Sequence, residues 1–407
     1  MEIITGGVTA AKGFKAAAAA AEIKYKGRTD MAMVYSEVPC VAAGTFTTNV
    51  VKAAPVKWDQ NVVYNHPSAQ AVICNSGIAN ACTGTEGYGY CKATADAASE
   101  ILGIPADSVL VASTGVIGMQ IPIDRIVNGV KAMAPKLDGS LEAGTEAAKA
   151  IMTTDTRPKE VSITVDIDGT PVTIGGMCKG AGMIHPNMAT MLCFVTTDVL
   201  IKKKLLTTAF KEVIDDSFNM ISVDGDTSTN DTAIVLANGK AENKIIDSKN
   251  ESYETFKRAL GHVCTELAKM IAGDGEGCTA LIEATVCNAK TRDDARTLAK
   301  SIVTSSLTKA AVFGHDANWG RILAAMGYSG VDFDPEIVDI FVSSNNGRLQ
   351  LVKDGIATDY SEDEATSILS GNPVIITADI KKGGETATAW GCDLTLEYVK
   401  INADYRS

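Results

Sequence analysis

The sequence predicts an α/β chain, layered sheets flanked by helices, with a smaller α+β lobe over roughly residues 290–407. Three observations carry this expectation. Short apolar runs of strand length, Ala71–Cys74, Val109–Ala112 and Met191–Val195, each adjoin turn-forming or hydroxyl residues, as buried strands do. Apolar residues recur at helical spacing in Leu141–Met152, from Leu205 to Ile214, and in Tyr253–Ile271. From Ile337 onward strands and turns alternate, with Asn346-Gly347 and Gly383-Gly384 marking two turns.

In chain order, short β-like pieces such as Met31–Tyr35 fill the first 54 residues, and strand is expected again over Phe46–Val51. Ala71–Cys74 runs into Asn75-Ser76-Gly77, with Asn80 shortly after; a strand-to-helix turn and the edge of a pocket account for it equally well. Val109–Ala112 opens into Ser113-Thr114-Gly115. A strand ending in a hydroxyl and a glycine offers an O–H and an exposed N–H together, the donor pair an oxyanion needs; a simple glycine turn is the plainer account. Thr153 follows the Leu141–Met152 helix and could close it. Val161–Ile167, the tight turn Asp168-Gly169 and Val172–Ile174 form a hairpin that delivers the chain to Lys179. Asp198 is expected to cap the helix carrying Leu205, Leu206, Phe210, Val213 and Ile214. The Tyr253–Ile271 helix stops at Gly273, and Gly275 and Gly277 let Glu276 project into a cleft. Glycines placed after a helix make no dinucleotide fingerprint. Asp293 and Asp294 begin a helix carrying Leu298, Ile302 and Leu307, and alternation in Leu394, Leu396 and Tyr398 reads as strand.

The 407 residues are enough for about two or three domains at the usual ~150 residues each. A net charge of −12 without a basic cluster argues against a nucleic-acid partner. Ten cysteines without a CxxC pair read as buried thiols of a reducing compartment, hence cytoplasmic. His66, His185, His262 and His315 form no ligand-spaced set, so no metal is expected. The Asp224–Asp231 segment resembles a calcium loop only superficially, because Thr229 and Val235 stand where an EF-hand needs Gly and Glu. The Ala16–Ala21 run is short and bracketed by lysines, so it reads as mature protein. Nothing is long and apolar enough to span a membrane.

The densest chemistry lies in KGAGMIHPNMATML, Lys179–Leu192. Pro186 and Asn187 favour a turn, Gly180 and Gly182 permit close backbone approach, and Thr190 begins the apolar run. A threonine that attacks its own preceding carbonyl cuts the chain there, and the freed α-amine, with a pKa near about 8, becomes its general base. A phosphate loop is excluded because the lysine precedes the glycines.

This stretch resembles the self-cleavage motif of the ornithine acetyltransferase family, the glutamate N-acetyltransferases of the cyclic arginine pathway. Further matching segments run in the same order: GVTAAKGFKAA, AAGTFTTNVVKAAPV, NSGIANACTG, ASTGVIG, IMTTDT, SVDGDTSTNDT, GDGEG, DANWGRI and INADYRS. The resemblance implies a self-cleaving core like that of N-terminal-nucleophile enzymes, cut between Ala189 and Thr190 into an α chain, 1–189, and a β chain, 190–407. It implies Thr190 as nucleophile, Thr114 and Gly115 as oxyanion hole, and Thr153, Lys179, Thr190, Glu276, Asn402 and Ser407 as substrate contacts. Acetyl would pass from N-acetyl-ornithine to glutamate without a cofactor, in an assembly of two α and two β chains. Acetyl-CoA as a second donor stays open, and a related self-cleaving aminopeptidase or amidase is the alternative. His185 and Asp224–Asp231 receive no role.

Overall fold

The computed structural model describes residues 1–185 and 191–403. They divide into two compact units. The larger holds 1–180, 191–219 and 227–267; the smaller holds 181–185, 220–226 and 268–403.

The larger unit is built on a nine-stranded sheet. Its strands run in the order Glu2–Ile4, Lys159–Ile167, Thr170–Lys179, Leu192–Thr197, Thr232–Ala237, Met31–Phe46, Ala69–Asn75 and Val109–Ser113, and Phe14–Ala19 pairs beside Met31–Phe46. Two adjacent pairs are parallel, Leu192–Thr197 with Thr232–Ala237 and Ala69–Asn75 with Val109–Ser113. Parallel strands need both faces covered. Accordingly all seven residues of Ala69–Asn75 are buried. Val72 and Cys74 join one apolar cluster, while Ala71 and Ile73 join the other. Helices Ala54–Asn65 and Leu141–Ala150 contribute to the first cluster, Glu86–Leu102 and Ile123–Met133 to the second. The expected hairpin forms as Lys159–Ile167 against Thr170–Lys179, and its second strand ends on Lys179 itself.

The smaller unit has a seven-stranded sheet, in the order Ile356–Ala357, Gly347–Lys353, Asp339–Ser344, Val374–Asp379, Leu281–Ala289, Glu385–Cys392 and Ile221–Ser222. Along Leu281–Ala289 every second residue, Ile282, Ala284 and Val286, is fully buried, while Glu283 and Thr285 are half exposed. One face is therefore packed, by helix Arg292–Thr304 among others.

Four expectations need correction. Strand stops at Phe46, because Thr47 turns out of the ladder and donates its hydroxyl to the Ser228 carbonyl at 2.8 Å. Asp198 caps no helix: its carboxylate accepts the Thr173 N–H at 2.8 Å and the Lys12 N–H at 3.2 Å, while the helix Lys203–Asp215 starts after Lys202 without a side-chain cap. Leu307 lies outside the helix of Leu298 and Ile302. Ser305 interrupts it and its hydroxyl caps a new helix, Ser306–Phe313, that leaves Leu307 61% exposed. Leu394, Leu396 and Tyr398 form no strand, since Leu396–Ala403 is a helix. Short-range alternation cannot distinguish a strand from a single helical turn that lacks a buried partner.

Candidate active site

Strand Val109–Ser113 carries Thr114 and Gly115 just past its end. Thr114 is buried, and its N–H donates to the Asn75 carbonyl at 3.0 Å; the Val116 N–H donates to Gly77 at 3.1 Å. Among the described residues the Gly115 N–H between them donates to no protein acceptor. Gly115 has φ +130°, and a Cβ there would stand 2.2 Å from the Gly77 carbonyl carbon, so only glycine fits. Asn230 holds this corner by donating to the carbonyls of Ala79 at 2.5 Å and Ser113 at 2.8 Å. The asparagines expected at a turn are spent on it: Asn75 donates to Ile78, and Asn80 to Gly87.

Lys179, only 8% exposed, donates from Nζ to the Thr114 hydroxyl oxygen at 3.2 Å. Two of the sequence-predicted residues, 65 positions apart, thus meet. A hydroxyl that accepts from a cation keeps its own hydrogen for another acceptor and is polarised toward giving it. Behind the lysine lies a group the sequence reading missed. The Asp155 carboxylate accepts Lys159 Nζ at 2.6 Å, the Gly180 N–H at 2.7 Å and the Thr153 N–H at 3.0 Å. Burial would raise its pKa, but Lys179 and Lys159 outweigh burial and hold it at about 2. Lys159 is wholly buried. The only hint in the sequence was a lysine four residues beyond an aspartate, a spacing common on solvated surfaces. Thr153 does not close the preceding helix, a place taken by Ile151; its carbonyl accepts from Arg28 at 3.3 Å.

In the smaller unit, Glu276 is 7% exposed, and its carboxylate accepts the Asn402 side-chain amide at 2.7 Å. These two substrate-contact candidates also meet. The Glu276 N–H donates to Ala181 at 2.9 Å, and a Cβ on Gly182 would stand 2.4 Å from the Glu276 carboxyl, so Gly182 gives the carboxylate its room. Asp224, left without a role, accepts the N–H groups of Met183 at 2.6 Å and Ile184 at 2.9 Å and so holds the chain just after Gly182. His185 pairs Nδ1 with the Ser222 hydroxyl at 3.1 Å; burial, helped by Lys300, lowers its pKa to about 4, so it is neutral near pH 7. Ala189, Thr190 and Ser407, and the turn residues Pro186 and Asn187, lie outside the described residues. Among the described residues no cluster suits a metal, and no helix is long and apolar enough to cross a membrane.

The comparisons with known proteins agree with one another. The ArgJ family model matches residues 15–407. Arginine biosynthesis bifunctional protein ArgJ 1 of Clostridium acetobutylicum is 50% identical over 97% of this chain and 96% of its own length. Glutamate N-acetyltransferase of Methanocaldococcus jannaschii is 47% identical over 100% of both. A solved structure of the arginine biosynthesis bifunctional protein of Bacillus halodurans is similar at a TM-score of 0.50 and 46% identity, covering 53% of this chain and 99% of that one. The chain therefore belongs to the ArgJ family.

Proposed function

We propose that this chain cuts itself between Ala189 and Thr190, and that Thr190 then carries acetyl from N2-acetyl-L-ornithine to L-glutamate. As an ArgJ family member the chain is a glutamate N-acetyltransferase, an acyltransferase of arginine biosynthesis. In the proposed cycle the Thr190 hydroxyl attacks the acetyl carbonyl while its freed α-amine takes the proton. The tetrahedral intermediate collapses, the proton goes to the departing ornithine amine, and an acetyl-threonine ester remains. The glutamate amine then attacks that ester and regenerates Thr190.

The observation that supports this reading most is the donor pair at the end of Val109–Ser113. The Thr114 hydroxyl accepts from Lys179 and so keeps its hydrogen, and beside it the Gly115 N–H is unspent among the described residues. Two fixed donors suit the oxyanion of each tetrahedral intermediate. Lys179 adds positive charge beside them. Glu276, held by Asn402, suits the substrate amine, and Thr153 and Ser407 complete the proposed substrate contacts. Two α and two β chains working in the cytoplasm complete the proposal, with acetyl-CoA as a donor to be tested.

Denaturing gels and mass spectrometry of purified protein should give two chains, 1–189 and 190–407, while Thr190→Ala should stay a single chain of 42.6 kDa. That variant should lose at least about 10⁴-fold in acetyl transfer. An active preparation with an uncut chain overturns the reading. Incubating the processed enzyme with N-acetyl-ornithine, with and without glutamate, should give N-acetyl-glutamate only with glutamate; free acetate in its place would mean an amidase. A parallel assay with acetyl-CoA alone tests that donor, and light scattering tests the assembly.

A further inference from the structure

The strand that leads to Thr114 and Gly115 lies at the rim of its sheet, and side chains stand where a further strand would otherwise run. Among the described residues, Val109–Ser113 ends the sheet and pairs with Ala69–Asn75 alone. Successive residues of a strand turn their N–H and C=O groups to opposite sides. Thr114 donates its N–H to Asn75, so Val109, Val111 and Ser113 face the open side. A sheet edge leaves such groups without a ladder partner, yet three of them are met here by side chains. Trp58 Nε1 donates to the Val109 carbonyl at 2.9 Å, the Val111 N–H donates to Asp59 Oδ1 at 2.8 Å, and Asn230 Nδ2 donates to the Ser113 carbonyl at 2.8 Å.

Asp59 is the unexpected member of this row. Helix Ala54–Asn65 turns Pro55, Val56, Val62 and Val63 into the core, and fully buried Asp59 sits in the middle of that stripe. A leucine would complete the stripe. Among the described residues Oδ2 has no hydrogen-bond partner, and a buried polar atom left so lowers stability. Burial raises the carboxyl well above its ordinary pKa, which favours the neutral acid. Its place there is explained by the bond to Val111 rather than by packing.

We propose that Asp59 is a positioning residue for acetyl transfer, fixing through Val111 where the edge strand delivers the Thr114 hydroxyl and the Gly115 N–H. A strand bonded on one side alone can slide along its length, and donors displaced by about 1 Å lose about 10²-fold in rate. Asp59 and Asn230 grip the open side at two points. Asn230 is itself aimed by the Thr229 hydroxyl, which donates to its Oδ1 at 2.6 Å, and the Ala53 N–H donates to the Thr229 carbonyl at 3.0 Å. Helix and asparagine are thereby tied together, and the strand shifts only if both give way. The proposal rests on the oxyanion reading of Thr114 and Gly115.

The test is the steady-state kinetics of acetyl transfer by the purified enzyme with N-acetyl-ornithine and glutamate. Asp59→Leu removes the acceptor and fills the stripe; kcat should fall about 10- to 100-fold with KM within about twofold. Asp59→Asn keeps an acceptor for Val111 and should hold kcat within about threefold of the wild type. Joined to Thr114→Val, Asp59→Leu should lower kcat by a smaller factor than it does alone, because both act on one donor. A wild-type kcat in Asp59→Leu, an equal loss in Asp59→Asn, or additive losses in the double variant overturns the proposal. If Asp59→Leu yields no folded protein, Trp58→Phe decides, since it drops the bond to Val109. A kcat about threefold lower at unchanged KM supports the proposal, and a wild-type kcat overturns it. Thr114→Val alone separates the two levels. If it leaves kcat intact, the oxyanion reading fails and this proposal with it; a loss there with none in Asp59→Leu overturns the Asp59 proposal only.

Discussion

Gly115 and Gly182 each leave room that a side chain would fill, but what occupies that room differs. At Gly115 it is backbone: a Cβ would stand 2.2 and 2.4 Å from the carbonyl carbon and oxygen of Gly77. At Gly182 it is the far end of a side chain, the Glu276 carboxyl at 2.4 Å. A peptide group packed in a sheet corner cannot retreat, whereas a glutamate can change rotamer. The comparison separates a rigid region from an adjustable one. Donors for developing charge work by being fixed beforehand, and the corner around Thr114 is fixed by Asn75, Gly77 and Asn230. The carboxylate proposed to receive ornithine and glutamate in turn would gain from latitude.

Four experiments would break or sharpen this contrast. The largest effect should come from Gly115→Ala. It adds a backbone clash to an unfavourable φ, and we expect a loss of about 3–5 kcal/mol in unfolding free energy by urea titration; a loss below about 1 kcal/mol would show the corner to be pliable. Thr114→Val keeps the shape and removes the hydroxyl. It should lower kcat by about 10²–10³ with little change in KM, and unchanged turnover would overturn the proposed oxyanion role of Thr114.

Acid should weaken the same region through Asp155. Its folded-state pKa of about 2 lies below an unfolded value of about 3.9, so its ionised form contributes stability. That contribution is complete above about pH 5, falls away as the pH drops through about 2, and amounts to about 2–3 kcal/mol. Unfolding of the wild type and of Asp155→Asn between pH 5 and 2.5 measures it, and identical acid limbs would contradict the assignment. The smallest effect should be that of Gly182→Ala. Glu276 swings away at little cost to folding, so the Tm should move by only about 2 °C or less, while KM rises by about tenfold, some 1.4 kcal/mol. A large drop in Tm would make Gly182 as rigid as Gly115 and erase the distinction.

How much of this was legible in the chain varies with how local the signal is. The strands Ala69–Asn75 and Val109–Ser113 and the hairpin ending at Lys179 announced themselves, because an apolar run between turn residues has few other outcomes. Thr114, Gly115, Lys179, Glu276 and Asn402 came from motif resemblance, and the structure brings them together in two pairs, Lys179 with Thr114 and Glu276 with Asn402. Asp155 and Lys159 stayed hidden because they look like a surface ion pair until burial is known. The helix Leu396–Ala403 was misread because its apolar residues Leu396 and Val399 are exposed and follow no buried stripe.

Local patterning alone thus decided where most strands and helices lie, and the ordered series of motifs identified the family. Tertiary structure alone decided which polar groups are spent and which are free. Hydrogen-bond partners such as Asn230 with Ser113, or Asp155 with Gly180, are set by contacts between segments far apart in the chain. Burial raises the energetic weight of each such bond, and no periodicity in a linear sequence encodes it.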